Sequence, residues 1–396
     1  MINWGYKKKI KGEVMPDSYT EINKISYGDN IKNSFGGMIL GIILFLASFV
    51  VLWINEGHNV NQTYKANYMD KNTVNVTVDR MSRDNDNKLV YLSGIAITDA
   101  VLTDGMITVP NAFALKRTVE MYQWHEEVDT KKKDEIGGST TETKTYTYKK
   151  VWSEDEIDSE NFKKPGYNNP KFPVKSADFY AETGKLGAFN LTTRQSKSMG
   201  GYLKYTNLPQ VYGYDLIKDF YYKGEPRVPK VGDIKISYEY IPSGVEISII
   251  GQQKSDNTLT NLILKKTSVY LQQDGLRTKD EMINSFRKGN AMFTNIIRIL
   301  GWFLMFLGLS MLINPLLVIL KIIPFFEKIV GFFTGGIIFL ISAALSLLTI
   351  AIAWLAYRPG LSVGLLTVVG VIFFMVKKKL KPAKDAKEEP QEELEL

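Results

Sequence analysis

The sequence predicts a membrane protein of four transmembrane α-helices, one N-terminal and three C-terminal, with a large β-rich (α+β) domain inserted between helices one and two. Three observations carry this. Asp, Glu, Lys and Arg are absent from residues 33–55, 299–320, 329–357 and 359–376, runs of 23, 22, 29 and 18 residues. Each is near or above the roughly 18 apolar residues that cross a bilayer. The stretch between the first two runs is polar and written in short alternating or β-branched segments, the pattern of strands. Lys7, Lys8, Lys9, Lys11, Lys24 and Lys32 precede the first run, and Lys377, Lys378, Lys379 and Lys381 follow the last. The positive-inside rule then places both termini in the cytoplasm.

Taken in order, residues 1–33 form a cytoplasmic segment and 34–55 the first span. That span is a retained signal anchor, because a long polar stretch precedes it and Asn55-Glu56-Gly57 is not a small-residue cleavage site. Residues 56–298 then lie on the far side of the membrane. Strands are predicted over 73–79, 88–98, 232–240 and 245–251, the last two about the turn Pro242-Ser243-Gly244. Residues 119–129 and 141–152 read as a long hairpin. Folded symmetrically about Glu135, it sets Glu120 opposite Lys150, Tyr122 opposite Tyr148, Trp124 opposite Tyr146 and Glu126 opposite Lys144, matching charges and aromatics in one register. These aromatics read as a structural ladder in preference to a ligand-stacking platform. The Pro- and Gly-punctuated stretch 163–173 reads as irregular connection.

Thr278-Lys279-Asp280-Glu281 has the capping-box form. It opens an amphipathic helix over about 278–298, read as lying at the outer interface before the chain dives, the alternative being a core helix of the domain. Spans follow at 299–320, 329–357 and 361–376, the last two joined by the tight outer turn Arg358-Pro359-Gly360. Residues 377–396 return to the cytoplasm as a tail that turns acidic from Asp385.

The chemistry expected of this chain is sparse. With no cysteine there is no disulfide framework, thiolate catalysis or sulfur-bound zinc. The two histidines, His58 and His125, lack the companions a metal or general-base motif needs, and paired acids such as Glu126-Glu127 sit among lysines as solvated faces. No catalytic, cofactor or metal residue is therefore expected. The spans hold no ionisable group at depth, which weakens a transporter reading. Residues 56–298 carry 34 basic and 31 acidic side chains, too balanced to bind nucleic acid. The terminal lysine runs read as topology-setting flanks before they read as a nucleic-acid or anionic-lipid patch.

Structural candidates remain. Gly37 and Gly41, Gly331 and Gly335, and Gly360 and Gly364 are glycine pairs at four-residue spacing that let helices approach closely. Glu56, Arg298 and Arg358 stand at the outer ends of three spans, either as a salt-bridged collar or as separate marks of where each helix meets water. Tyr122, Trp124, Tyr146 and Tyr148 line the hairpin.

Several of these features occur together in one known family. The uncharged span ending in Asn55-Glu56-Gly57, VEMYQW at 119–124, a strand ending at Trp152, Phe162 with Asn169-Pro170, Val231-Gly232-Asp233, Gly301-Trp302, and Trp354 with Tyr357-Arg358-Pro359 resemble the transmembrane protein 43 (LUMA) family over about residues 35–376. The resemblance implies four spans, a large lumenal domain in the endoplasmic reticulum or inner nuclear membrane, self-association, partners such as emerin and lamins, and no catalytic residues. The lysine- and asparagine-rich, cysteine-free composition also suits a bacterial chain, which would place it in the inner membrane, where those nuclear partners would not apply; a eukaryotic chain would sit in the endoplasmic reticulum or inner nuclear membrane. The function expected is a non-enzymatic scaffold that forms a homo-oligomer and organises other membrane proteins in lipid. The alternative is a channel or lipid-handling protein using the C-terminal helices; an enzyme at the outer surface is a distant third.

Overall fold

The computed structural model describes the backbone of residues 18–135, 137–264, 267–320, 324–358, 360 and 367, and the side chains of all of these except 320–334. The chain opens with strand β1 (Ser18–Ile25) and helix α1 (Tyr27–Asn72). Ser26 caps α1 by accepting the Asp29 N–H at 3.1 Å, and Asp29 complements the helix dipole. Apolar side chains from Phe35 to Ile54 are exposed along it, a band of ~29 Å at 1.5 Å per residue, matching the ~30 Å hydrocarbon core of a bilayer.

The helix does not stop where the apolar run ends. It continues 17 residues past Asn55 to Asn72, because 56–72 contains no proline and turns Ala66 and Met69 into a core with Leu89, Ile250, Val269, Met282 and Ile283. Of the strand expected over 73–79, only Val74–Asn75 forms.

The domain contains two principal sheets. The larger, of eight strands, contains β1, β3 (Ala112–Asp134), β4 (Thr140–Ser153), β5 (Phe220–Lys223) and β6 (Ile234–Pro242). The second, of seven strands, contains β2 (Leu89–Ile97), β7 (Val245–Gln253) and β8 (Leu271–Asp274). The turn at Pro242-Ser243-Gly244 does not make a hairpin of its flanking strands. β6 pairs with β3 while β7 pairs with β2, so the chain crosses there from one sheet to the other. The burial pattern accounts for it. Ile234, Ile236 and Tyr238 alternate inward in one core, while β7 is buried on consecutive residues from Ile247 to Gln253 and needs cover on both faces.

The β3–β4 hairpin forms as expected, but its register is displaced. Tyr122 faces Trp152, Trp124 faces Lys150, Glu126 faces Tyr148 and Thr130 faces Lys144, each partner differing from the expected one along β4. The loop is responsible: Gly137 and Gly138 take φ of +93° and +82°, a region open to glycine, so the turn centres on them and not on Glu135. The shift is even, so every side chain keeps its face.

β1 is the largest departure. Residues 18–25, expected on the opposite side of the membrane from residues 56–298, pair antiparallel with residues 140–147 of β4. The sheet thus extends as a three-stranded arm, β1–β4–β3, whose tip meets the start of α1: Asn30 Nδ2 donates to Gly138 O at 2.8 Å and Thr140 Oγ1 at 2.9 Å.

Helix α2 (Thr193–Ser198) is a short cap on the second sheet. Helix α3 (Lys279–Leu320) begins with the expected capping box, Glu281 N donating to Thr278 Oγ1 at 3.2 Å and Thr278 N to Glu281 Oε2 at 2.8 Å. It then runs unbroken through Arg298. Its first turns bury Met282 and Ile283 in the domain core, the alternative weighed above. Helix α4 (Pro324–Tyr357) follows. Tyr27–Asn72, Lys279–Ile319 and Gly335–Tyr357 are each long and apolar enough to cross a membrane. The expected fourth span, 361–376, lies outside the described residues apart from Thr367, as do residues 1–17 and the tail 377–396.

Candidate functional site

Three helices converge on Glu56, α1 and α3 partway along their length and α4 at its C-terminal end. Its side chain is fully buried, and the Arg298 guanidinium grips it as a fork, Nε to Oε1 at 2.7 Å and Nη2 to Oε2 at 2.9 Å. From α4, Trp354 Nε1 donates to Oε2 at 2.8 Å. Arg298 Nη1 also reaches Asn295 Oδ1 at 3.1 Å. Three helices are thereby tied by one carboxylate. A two-pronged, charge-assisted pair of this kind is directional, and burying it costs desolvation, so it selects an arrangement more than it adds net stability.

The residues beside Glu56 complete the junction. Asn55 Nδ2 donates to Thr294 O at 3.1 Å. Gly57 lies so close to Tyr357 that a Cβ there would sit 2.7 Å from its ring Cζ, so a larger residue would displace the Tyr357 ring. Tyr357 also meets Trp53, centroids 5.7 Å apart. Arg358 joins the group indirectly: its guanidinium lies 4.5 Å above the Trp354 ring, a cation–π contact. Of the three charged residues singled out from the sequence, two are bonded and the third is linked through an aromatic. Trp354, Tyr357 and Gly57 were not singled out as site residues. The signal for Trp354 was its position one turn before Arg358.

The glycines divide. A Cβ on Gly41 would meet Met311 Cβ at 2.7 Å and Gly308 O at 2.9 Å; one on Gly308 would meet Phe45 N at 2.6 Å. Gly41 and Gly308 therefore mark a close backbone crossing of α1 and α3 within one chain. Gly37 has only Met311 Cε, at 3.8 Å, and among the described residues no atom lies within 4 Å of a Cβ placed on Gly335 or Gly360. Gly331 and Gly364 lie where side chains are outside the described residues.

The hairpin aromatics are covered by their own chain. Tyr148 stacks on Tyr167 with centroids 4.0 Å apart and planes at 8°, and Trp124 meets Tyr167 edge-on at 4.8 Å. Tyr148 Oη donates to Glu126 Oε2 at 2.6 Å and accepts Lys164 N at 2.9 Å; burial, with that carboxylate, pushes the phenol up to about 12. Asn169 clamps the Trp124 backbone from both sides, accepting its N–H at 2.7 Å and donating to its carbonyl at 2.9 Å. The irregular stretch 163–173 is thus the lid on this face. Tyr122 packs on Trp152 at 5.1 Å, and Tyr146 on Tyr19 of β1 at 6.0 Å. Among the described residues no group of three His, Asp or Glu side chains is placed to hold a metal.

A family model described as Transmembrane protein 43 matches residues 121–359. The chain is 28% identical to mouse Transmembrane protein 43 over 375 residues, covering 90% of this chain and 93% of the relative. The human protein of that name gives the same identity and coverage. The Drosophila melanogaster Transmembrane protein 43 homolog is 27% identical over 361 residues, 86% of this chain and 94% of the relative. No solved structure matches.

Proposed function

The chain belongs to the transmembrane protein 43 family, and on that premise we propose that it is a non-enzymatic membrane scaffold whose helices associate with a second copy and with other membrane proteins. The observation that carries this reading is the Glu56 junction. Its donors come from Arg298 and Trp354, on two other helices, so the bundle is held as one shaped surface. Outside it, Ile39, Ile43, Leu46, Ile299, Leu340 and Leu347 are all more than half exposed or close to it, available to lipid and to neighbouring helices. In this reading both termini are cytoplasmic and residues 56–298 lie beyond the membrane, in the endoplasmic reticulum lumen or, in a bacterium, outside the inner membrane.

The test has two parts. Lys132→Cys, in a chain without native cysteine, is expected to react with a membrane-impermeant thiol reagent in intact bacterial spheroplasts or oriented vesicles exposing the outer face. Labelling only after lysis would refute the orientation. The unmodified chain, extracted in mild detergent, is expected to run as an oligomer; a strictly monomeric species would refute the scaffold.

One observation favours the second reading, lipid handling. Phe49, Val50 and Trp53 of α1 and Leu345, Leu348, Thr349 and Ile352 of α4 line an apolar groove of about 390 Å³, of a size for part of an acyl chain. Native mass spectrometry that finds a lipid retained by the wild type and lost in Leu348→Trp would support it over the scaffold.

A further inference from the structure

The arm and the apolar helices occupy the same length of the molecule. The β3–β4 tip touches Asn30 at the start of α1, and Tyr27 Oη reaches Ile319 O at the end of α3 at 3.3 Å. From Met121 to Asp134, β3 runs ~43 Å at 3.3 Å per residue, and from Asn30 to Glu56, α1 runs ~39 Å at 1.5 Å per residue. The tip carries Lys131, Lys132 and Lys133, all exposed. An arm so polar cannot lie in hydrocarbon beside the exposed band from Phe35 to Ile54. Nor can a bilayer pass between hydrogen-bonded strands. Pairing of β1 with β4 and insertion of α1 are therefore alternatives, and insertion bares the β4 edge.

We propose that in the inserted protein a second copy of this chain takes the place of β1 on the β4 edge, the two β4 strands pairing antiparallel about Thr143. The edge is already shaped for a strand: it holds β1 over eight residues. Its charges suit a copy of itself. Two-fold symmetry requires a residue to face its own equivalent, and centring on Thr143 sets Glu142 opposite Lys144 twice over, with Thr143 opposite Thr143 and Thr141 opposite Thr145. Centring on Glu142 or on Lys144 would oppose like charges, which cross-strand pairing penalises. In the present fold Glu142 already bonds Lys132 and Lys144, at 3.1 and 3.3 Å, so exchange for the partner's lysine keeps the carboxylate paired. An open edge of this kind is otherwise an aggregation hazard, and closed two-fold pairing removes it.

The inference deepens the scaffold reading by naming its interface and rests on the orientation proposed above. Its test uses the register itself, because Thr143 faces Ile22 when β1 is in place and its own equivalent in the proposed dimer. In native membranes under mild oxidation, Thr143→Cys is expected to give a disulfide-linked dimer. Ile22→Cys/Thr143→Cys is expected to give that same dimer and no internal crosslink. Glu142→Lys, added to Thr143→Cys, is expected to lose most of the crosslink, and Lys144→Glu added to both to restore it.

An internal Ile22–Thr143 crosslink in membrane-embedded protein overturns the proposal, as does absence of the dimer. If the dimer is absent while the unmodified chain still runs as an oligomer, the scaffold reading stands and this edge is not its interface. If the chain is monomeric, both fail.

Discussion

Two buried carboxylates, Glu56 at the junction of the three helices and Asp104 in the β domain, are each held by an arginine and an aromatic donor, but the donors come from different distances along the chain. Asp104 Oδ2 accepts Arg117 Nη1 at 2.9 Å and Tyr238 Oη at 2.5 Å, and Oδ1 accepts the backbone N–H groups of Met106 and Ile107, both at 2.9 Å. Its turn supplies half of what it needs. Glu56 takes its bonds from residues 242 and 298 positions away, and none from its own helix. A carboxylate satisfied locally anchors a loop. One satisfied only from afar exists as a paired group only when three helices are already in place, so Glu56 reports assembly, while Asp104 keeps the bonds of its own turn beside those from Arg117 and Tyr238.

The strongest way to break this contrast is Arg298→Ala. It leaves Glu56 buried with Trp354 alone and is expected to cost about 3 to 5 kcal/mol, read as a fall in thermal midpoint in detergent or nanodiscs. Arg298→Lys should recover only part, since a point charge cannot supply the two-pronged geometry. An unchanged midpoint in Arg298→Ala would mean that the junction does not hold the helices.

Asp104→Asn should cost less, about 1.5 to 3 kcal/mol, and it brings a pH signature. Burial pushes the Asp104 carboxyl up, but the hydrogen bonds from Tyr238, from the Ile107 and Met106 backbone and from Arg117 outweigh it and hold the group below the usual carboxylate range. Stability from a depressed carboxylate is fully present above its unfolded value, about 4, and is lost as pH falls through its folded value. The wild type should therefore lose stability over that acidic window while Asp104→Asn loses less. Identical pH profiles would remove Asp104 from the account.

Gly308→Leu should be milder still at about 1 to 3 kcal/mol, by wedging α1 from α3 at Phe45, while Gly336→Leu, whose Cβ meets no atom among the described residues, should be silent. Equal effects would show that the crossing is not tightly packed. The smallest effect is expected from Lys149→Glu: its 2.7 Å bond to Glu127 lies between exposed side chains, where ion pairs are weak, so the unfolding midpoint should stay put.

The sequence made some of this legible because charge beside an apolar run can sit in few places. Glu56, Arg298 and Arg358 were readable as a set for that reason, and Thr278 with Glu281 because a capping box is a local bond pattern. The hairpin strands were readable from alternation, but not their register, since Glu–Lys and aromatic matches occur in more than one alignment and the glycines of the loop decide. β1 was hidden by its pattern and its position: in SYTEINKI the apolar residues Tyr19, Ile22 and Ile25 fall three apart and give no alternation, and because it precedes a span, chain order argued against pairing with anything beyond it. The extension of α1 to Asn72 was missed because helix 56–72 is polar on most sides and becomes helical through two buried residues, Ala66 and Met69.

That extension has a mechanical meaning. α1 and α3 leave the apolar band as unbroken rods and end in one shared core, Met69 beside Met282. No proline interrupts α1 between Glu56 and Asn72, and Gly57, where a hinge could form, is covered by the Tyr357 ring. The rods act as a lever. A tilt of about 10°, within the range by which spans adjust to bilayer thickness, moves Asn72 sideways by ~4 Å over the ~24 Å from Glu56. A thicker or thinner membrane would thus be felt in the β domain as displacement, delivered at the second sheet with no intervening joint to absorb it.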